Sequence, residues 1–274
     1  METFTMFDEY TDHVMTPEER NEKRLRLEPL IFDILKSKYG KQLEAYWKHA
    51  TLKKVEDTNK AVVIVEPRIH SNLQFLIYNV AYYARDWSLI IVCSDKNKKY
   101  IEAVLDHHKD NVLLLSMFDP SINREQARQE YNTLLKSTRF YEAIPCENML
   151  IIQTDAYLRR HIPNSLLDWD FVGSPFSWDR DHQGGGITFR KKSVFLDICK
   201  RSQRIIQSED YFASASIKDY GYKMPKWDDA LRYFCESVLY AQTIGVHQWW
   251  TFLRNVKGSI QCEQIFHSLL TLEL

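Results

Sequence analysis

The chain has almost no excess of charge of either sign: 36 Lys and Arg stand against 37 Asp and Glu in 274 residues. A groove that binds nucleic acid through its phosphates normally leaves a basic imbalance, so nucleic acid is not an expected partner. Cysteine is sparse and scattered. Its five copies (Cys93, Cys146, Cys199, Cys235 and Cys262) are odd in number and include no Cys-x-x-Cys pair, which disfavours a disulfide framework and a zinc ribbon. No stretch reaches the roughly 18 apolar residues that cross a bilayer. Met1 to Tyr10 is acidic and aromatic, without the layout of a signal peptide. Linkers, repeats and low-complexity stretches are also missing. These absences together point to a reduced, cytoplasmic setting and no membrane span.

What is present is a folded α/β pattern. Apolar residues make up 45% and aromatics 13%, and the length gives one large domain or two small ones. Residues up to about Thr11 have no periodicity and read as a tail. Thr16-Pro17-Glu18-Glu19 is a helix start, with Thr16 as cap, Pro17 at the first helical position and Glu19 closing a capping box. Pro29 should end or kink that helix, and Gly40 should break the amphipathic stretch that follows. No chemistry is visible there.

From Ala61 the pattern alternates. Ala61–Val65, Trp87–Cys93 (closed by Ser94-Asp95), Val112–Leu115 and Met149–Ile152 read as buried strands, with helices between them, the first opened by Ser71, the second with Ile101, Val104 and Leu105 on one face, and the third opened by Ser121. Such alternation predicts a mostly parallel sheet covered by helices. Glu66-Pro67-Arg68 follows the first strand where a dinucleotide-binding chain has its glycine fingerprint, which disfavours an NAD-type dehydrogenase. After Asp155 the alternation stops. Short strands are expected near 170–176 and 185–190, with helices near 194–202, 209–220 and 228–241. The expected organisation is a helical N-terminal extension over 1–58, one catalytic-type domain over 59–256, and a C-terminal helix over 257–274 packed on it.

The site candidates cluster in the second half. In an open α/β sheet, ligands sit in the crevice outside the carboxyl ends of the strands. The run Met149-Leu150-Ile151-Ile152 leads into Gln153-Thr154-Asp155 there. Arg68 and Asp95 close the first two strands at the same edge. Gly184-Gly185-Gly186 permits positive φ and close approach of the backbone to a ligand. Glu209-Asp210 opens a helix whose dipole would hold carboxylates ionised. Each has a plain alternative: a turn cap for Asp155, a dipole partner for the acidic pair, a core histidine for His247. Trp249 and Trp250 read as core.

As a set these residues resemble the nucleotide-sugar glycosyltransferases of the GT-A fold. More closely, the chain is similar to an uncharacterised family of GT-A-like glycosyltransferases found in viral and microbial genomes. The resembling segments are Val65-Glu66-Pro67-Arg68, Tyr131 to Leu135, Gln153-Thr154-Asp155, Gly173-Ser174-Pro175, Gly185-Gly186-Ile187-Thr188-Phe189-Arg190, Glu209-Asp210 and Gly245-Val246-His247, within about 60 to 255. The resemblance implies a GT-A-like fold and transfer of a sugar from a UDP- or GDP-linked donor to an acceptor hydroxyl on a glycan or other molecule. It implies that Asp155 holds a divalent metal, Mn2+ or Mg2+, with His247 as second ligand. It makes Asp210, or Glu209, the base that activates the acceptor. Glu66, Arg68, Asp95, Gln153, Thr154, Asp155, Gly185 and Gly186 would line the donor pocket. The setting would be the host cytoplasm if the chain is viral. Gln153 stands where these enzymes usually have the first acid of Asp-x-Asp. A degenerate nucleotide- or sugar-binding module, or another metal-dependent nucleotide enzyme such as a nucleotidyltransferase, is the alternative.

Overall fold

A computed structural model describes residues 16–119, 124–202, 208–252 and 260–274. The tail expected up to Thr11 and the cap expected at Ser121 lie outside these residues.

Helix α1 (Pro17–His49) opens as expected. Thr16 accepts from the Glu19 amide and the Glu19 side chain reaches back to Thr16 N. It does not end at Pro29 or break at Gly40 but runs on for 33 residues. Its buried stripe of Leu27, Ile31, Leu35, Leu43 and Trp47 spans both positions, and burial along such a stripe outweighs one lost backbone hydrogen bond and one glycine.

Three strands alternate with two helices next: β1 (Lys60–Val65), α2 (Leu73–Tyr83), β2 (Ser88–Ser94), α3 (Asp95–Leu105) and β3 (Leu113–Phe118). Helices α4 (Arg124–Leu134) and α5 (Thr138–Ala143) lead to β4 (Asn148–Ile152). After a short β5 (Ala156–Leu158), β6 (Phe171–Pro175) and β7 (Gln183–Lys191) complete the main sheet, and α6 (Lys192–Arg201) and α7 (Glu209–Asp219) cover it. The strand order is β3-β2-β1-β4-β7-β6. Strands β1 to β4 pair in parallel, and β7 alone runs against both its neighbours. The fold is therefore α/β, with a mostly parallel sheet between helices and an N-terminal helix laid on it.

Residues alternate between the two faces, as the period of a strand requires. Val62, Ile64, Leu89, Ile91, Leu150 and Ile152 pack with α1 and α2. Val63, Ile90, Val92, Met149 and Ile151 pack with α5, α6 and α7. Burial on both faces explains why these strands read as continuous apolar runs.

The rest departs from the expected pattern. The stretch 228–241 is not a helix. A single turn, α8 (Trp227–Ala230), gives way to β8 (Phe234–Cys235), which joins β9 (Gly245–His247) and β5 in a separate sheet of order β5-β9-β8. Helix α9 (Ile260–Leu269) follows, and Phe266 and Leu269 reach the core beside Trp249. No helix among the described residues is long and apolar enough to cross a membrane.

Candidate functional site

The chain leaves β1 towards β2 on one side and returns to β4 on the other, so a crevice opens past the carboxyl ends of β1 and β4. Such a reversal of strand order is where ligands bind in open α/β sheets. Both segments that emerge there are polar and cross-linked. Buried Glu66 takes Arg68 in a two-pronged pair, from Nε at 2.7 Å and Nη2 at 2.8 Å, and accepts from Thr154 Oγ1 at 2.8 Å. Asn97 of α3 donates to the carbonyls of Glu66 and Arg68, at 2.8 and 2.7 Å, and fixes the turn. Asp95 is engaged elsewhere. Its exposed carboxylate accepts from Ser116 Oγ at 2.8 Å, on β3, the far side of β2 from β1. The expected donor role of Asp95 gains no partner from β1 or β4.

The small sheet supplies the other wall by register. Antiparallel pairing sets Ala156 against His247, which places Asp155 beside Gln248. Parallel pairing of Cys235 with Val246 places Glu236 beside His247. Asp155 Oδ1 thus lies 3.1 Å from His247 Nε2, and Glu236 Oε2 lies 3.2 Å from His247 Nδ1. Gln248, held at φ +42°, donates from Nε2 to Asp155 Oδ2 at 2.5 Å. A non-glycine residue in that region is strained, and such strain concentrates at functional positions.

The floor between the walls is the glycine run of β7, which lies beside Gln153 because Gln153 N donates to Gly186 O at 2.8 Å. Each glycine leaves room for one polar side chain. A methyl at Gly184 would be driven into Asp210, at Gly185 into the Glu236 carboxylate, and at Gly186 into the His247 ring. Gly185 also stands at φ +91°, which excludes most side chains on backbone grounds alone.

The charges are strongly coupled. Burial alone would raise Asp155, but His247, with Arg24 and Gln248 behind it, holds it well below the usual carboxylate range. Burial would lower His247, yet Glu236 and Asp155 outweigh it and carry the ring up to about 10. Two contacts compete at Nδ1, because Gly186 N also points at it from 3.0 Å. Carboxylates on both sides favour the protonated ring, so Nδ1–H faces Glu236 and the Gly186 approach is a close contact.

The acidic pair divides. Glu209 is buried against the fully buried Arg190 in an ion pair, and its amide is taken by Asn132 Oδ1 at 2.9 Å. Arg190 is further held by Thr188 and Tyr141. Glu209 is thus engaged as the partner of Arg190. Asp210 faces the floor, with Oδ1 buried and unpartnered. The sequence led to an expectation of a lowered pKa from the helix dipole. Instead burial raises Asp210 well above the usual range, and the charges of Glu209 and Glu236 add to it.

Three participants escaped the sequence reading. Glu236 lay in a stretch expected to be helical. Arg24 and Glu28 lie on α1, where no chemistry was visible, yet Arg24 Nη1 reaches Asp155 Oδ2 at 3.4 Å. Glu28 stands 3.4 Å from His70 and accepts from Asn72 at 3.1 Å. Their spacing of four residues was the available signal, since it puts both on one helix face.

Comparison with known proteins adds a family match and two distant structural likenesses. Residues 116–247, slightly under half of the chain, match a family described as "Protein of unknown function (DUF5672)". The matched stretch includes Asp155, Gly184–Gly186, Asp210 and Glu236 and ends on His247. No curated protein matches. Among solved structures, the chain is similar to a 4-diphosphocytidyl-2C-methyl-D-erythritol synthase from Anaerococcus prevotii DSM 20548. That likeness has 11% identity and a TM-score of 0.40 over 77% of this chain and 98% of the other. A cytidylyltransferase from Leptospira borgpetersenii serovar Hardjo-bovis (strain JB197) is similar at 10% identity and a TM-score of 0.39, over 60% of this chain and 73% of the other. Likenesses of that size assign no activity to the chain.

Proposed function

We propose that the chain is a transferase acting on a nucleotide-linked donor, and that it moves a sugar from that donor to an acceptor hydroxyl. The observation that carries this reading is the glycine floor. There three glycines let Asp210, Glu236 and His247 close in over one strip of backbone, with Asp155 beside His247 at one end and the unpartnered Oδ1 of Asp210 at the other. A sugar bound against these side chains would have its leaving phosphate towards Asp155 and its acceptor towards Asp210.

In the transfer, the acceptor oxygen forms a bond to the anomeric carbon and the bond from that carbon to the phosphate oxygen breaks. The nucleoside diphosphate leaves, and the acceptor proton passes to Asp210. A base with a raised pKa is a stronger proton acceptor than an ordinary carboxylate. Its activity must then rise with pH as Asp210 ionises. Arg24 and Arg68 supply positive charge at the leaving end.

The site also suits a divalent cation in part. Asp155 Oδ1 and His247 Nε2 are buried and face each other at 3.1 Å, so a cation held by both would displace the Nε2 proton. That separation is close to the ~3 Å between neighbouring ligands in an octahedral Mg2+ shell. Among the described residues no group of three or more His, Cys, Asp or Glu is arranged to hold a metal, so phosphate and water would complete the shell. When bound, Mn2+ or Mg2+ would offset charge on the leaving diphosphate. Glu236 would orient His247 from Nδ1.

Nucleotidyl transfer to a phosphate acceptor is the second reading. Arg24 favours it, because its loosely held guanidinium gives a second anionic substrate somewhere to bind.

One assay separates the two. The chain is incubated with UDP-, GDP- and CDP-sugars, or with nucleoside triphosphates and sugar phosphates, in the presence of Mn2+. Release of nucleoside diphosphate supports glycosyl transfer; release of pyrophosphate supports nucleotidyl transfer. Asp210→Asn should lose turnover about 10²- to 10⁴-fold while still binding donor. Full turnover in that variant would remove Asp210 from the reaction.

A further inference from the structure

Helix α1 forms a third wall of the crevice. Arg20, Arg24 and Glu28 are spaced four apart, so they share one face of the helix. The Arg20 guanidinium lies 6.0 Å from the centre of the Trp178 ring. Arg24 reaches Asp155, and Glu28 reaches His70 and Asn72 past the end of β1. The stripe therefore crosses the mouth of the site from the β6–β7 loop to the β1–α2 turn.

The two arginines near Asp155 are held very differently. Arg68 is clamped by the Glu66 carboxylate at 2.7 and 2.8 Å and by its own backbone amide, which donates to the same oxygen at 2.9 Å. Arg24 makes one long contact with Asp155, 3.4 Å from Nη1, and one hydrogen bond to Asn21 Oδ1, 3.0 Å from Nη2. Its side chain keeps 24% exposure. Asp155 does not depend on it, because His247 and Gln248 already flank both carboxylate oxygens. A guanidinium held at the limit of hydrogen-bond distance beside a well-supplied acid can transfer to a better acceptor. Its planar fork matches two phosphate oxygens, which a lysine cannot reproduce.

We propose that Arg24 binds the diphosphate of the donor, so that the site takes its phosphate-binding cation from α1, outside the stretch that matches the family. The assignment rests on the nucleotide-donor reading and sharpens it. Arg24 rests on Asp155 in this structure; with donor present it moves to the phosphate oxygens. No bond is made or broken in this step.

The test measures binding of UDP, GDP and CDP, and of the matching nucleosides, by calorimetry with excess Mn2+ on the full chain. Arg24→Ala should weaken the preferred nucleoside diphosphate at least tenfold and leave the nucleoside unchanged. Arg24→Lys should recover only part of the loss. Arg24→Gln, which keeps a donor towards Asp155, serves if the alanine variant does not fold, and should show the same loss. Affinity for the diphosphate equal to or tighter than wild type, in Arg24→Ala or Arg24→Gln, would overturn the assignment and make Arg24 a counter-ion only. A wild-type chain that binds none of the three diphosphates would overturn the donor reading, and this assignment with it.

Discussion

Glu209 and Asp210 are adjacent in sequence, yet one is consumed by a buried arginine and the other is left facing the floor. Removing one partner of a buried ion pair leaves the other uncompensated, at a cost of about 3–5 kcal/mol. Glu209→Gln should therefore lower stability on that scale in denaturant unfolding, whereas Asp210→Asn should be neutral or stabilising, because Asp210 is already disfavoured as an anion. Equal stability of the two variants would contradict this division. Glu28 gives a second test. Burial, then the charge of Asp155, raises it from the usual 4.5 to about 7. The folded chain then holds a proton that the unfolded chain has released, so this contribution is fully present below about pH 4.5 and is lost as pH rises through 7. Glu28→Gln should flatten the decline in stability across that window; an unchanged slope would show that another group is responsible. At this scale the sequence was legible where a residue type names its own chemistry, as with Asp155 beside a strand or a run of glycines. Glu236 and Arg24 gain their meaning only from partners 11 and 131 positions away, and no local pattern carries that.

Helix α1 shows how tertiary burial overrides local signals. Pro29 and Gly40 are the two residues that sequence rules would use to divide it, and the buried stripe runs past both. A methyl group at Gly40 would meet nothing within 4 Å. Gly40→Ala should then stabilise the chain by about 1 kcal/mol, the difference in helix propensity, read as a higher unfolding midpoint. Gly185→Ala is expected to do the opposite, because it meets both a positive φ and the Glu236 carboxylate. The strands β1, β2 and β4 were legible as apolar runs buried on both faces, and α7 from the acidic pair in its first turn. The stretch after Trp227 was not. Phe234 and Val238 have helical spacing, but Phe234 and Cys235 instead pair with Gly245 and Val246. A two-residue strand is defined by its partner, not by its own sequence.

At the scale of the whole molecule, the sheet order places the ends of β1 and β4 side by side, and the small sheet brings Asp155, His247 and Glu236 together by register alone. Alternating strands and helices foretold the parallel sheet. The second sheet, which builds half of the site, left no periodic trace because its strands are two or three residues long. The measurement that bears most directly on the central claim is nucleoside-diphosphate binding to wild type and to Asp155→Asn, each with Mn2+ and with chelator, alongside thermal melts to confirm folding. The expected result is tight binding only in wild type with Mn2+, and weak binding, insensitive to the metal, in the folded variant. Equal affinity in all four conditions would contradict a donor site built on Asp155.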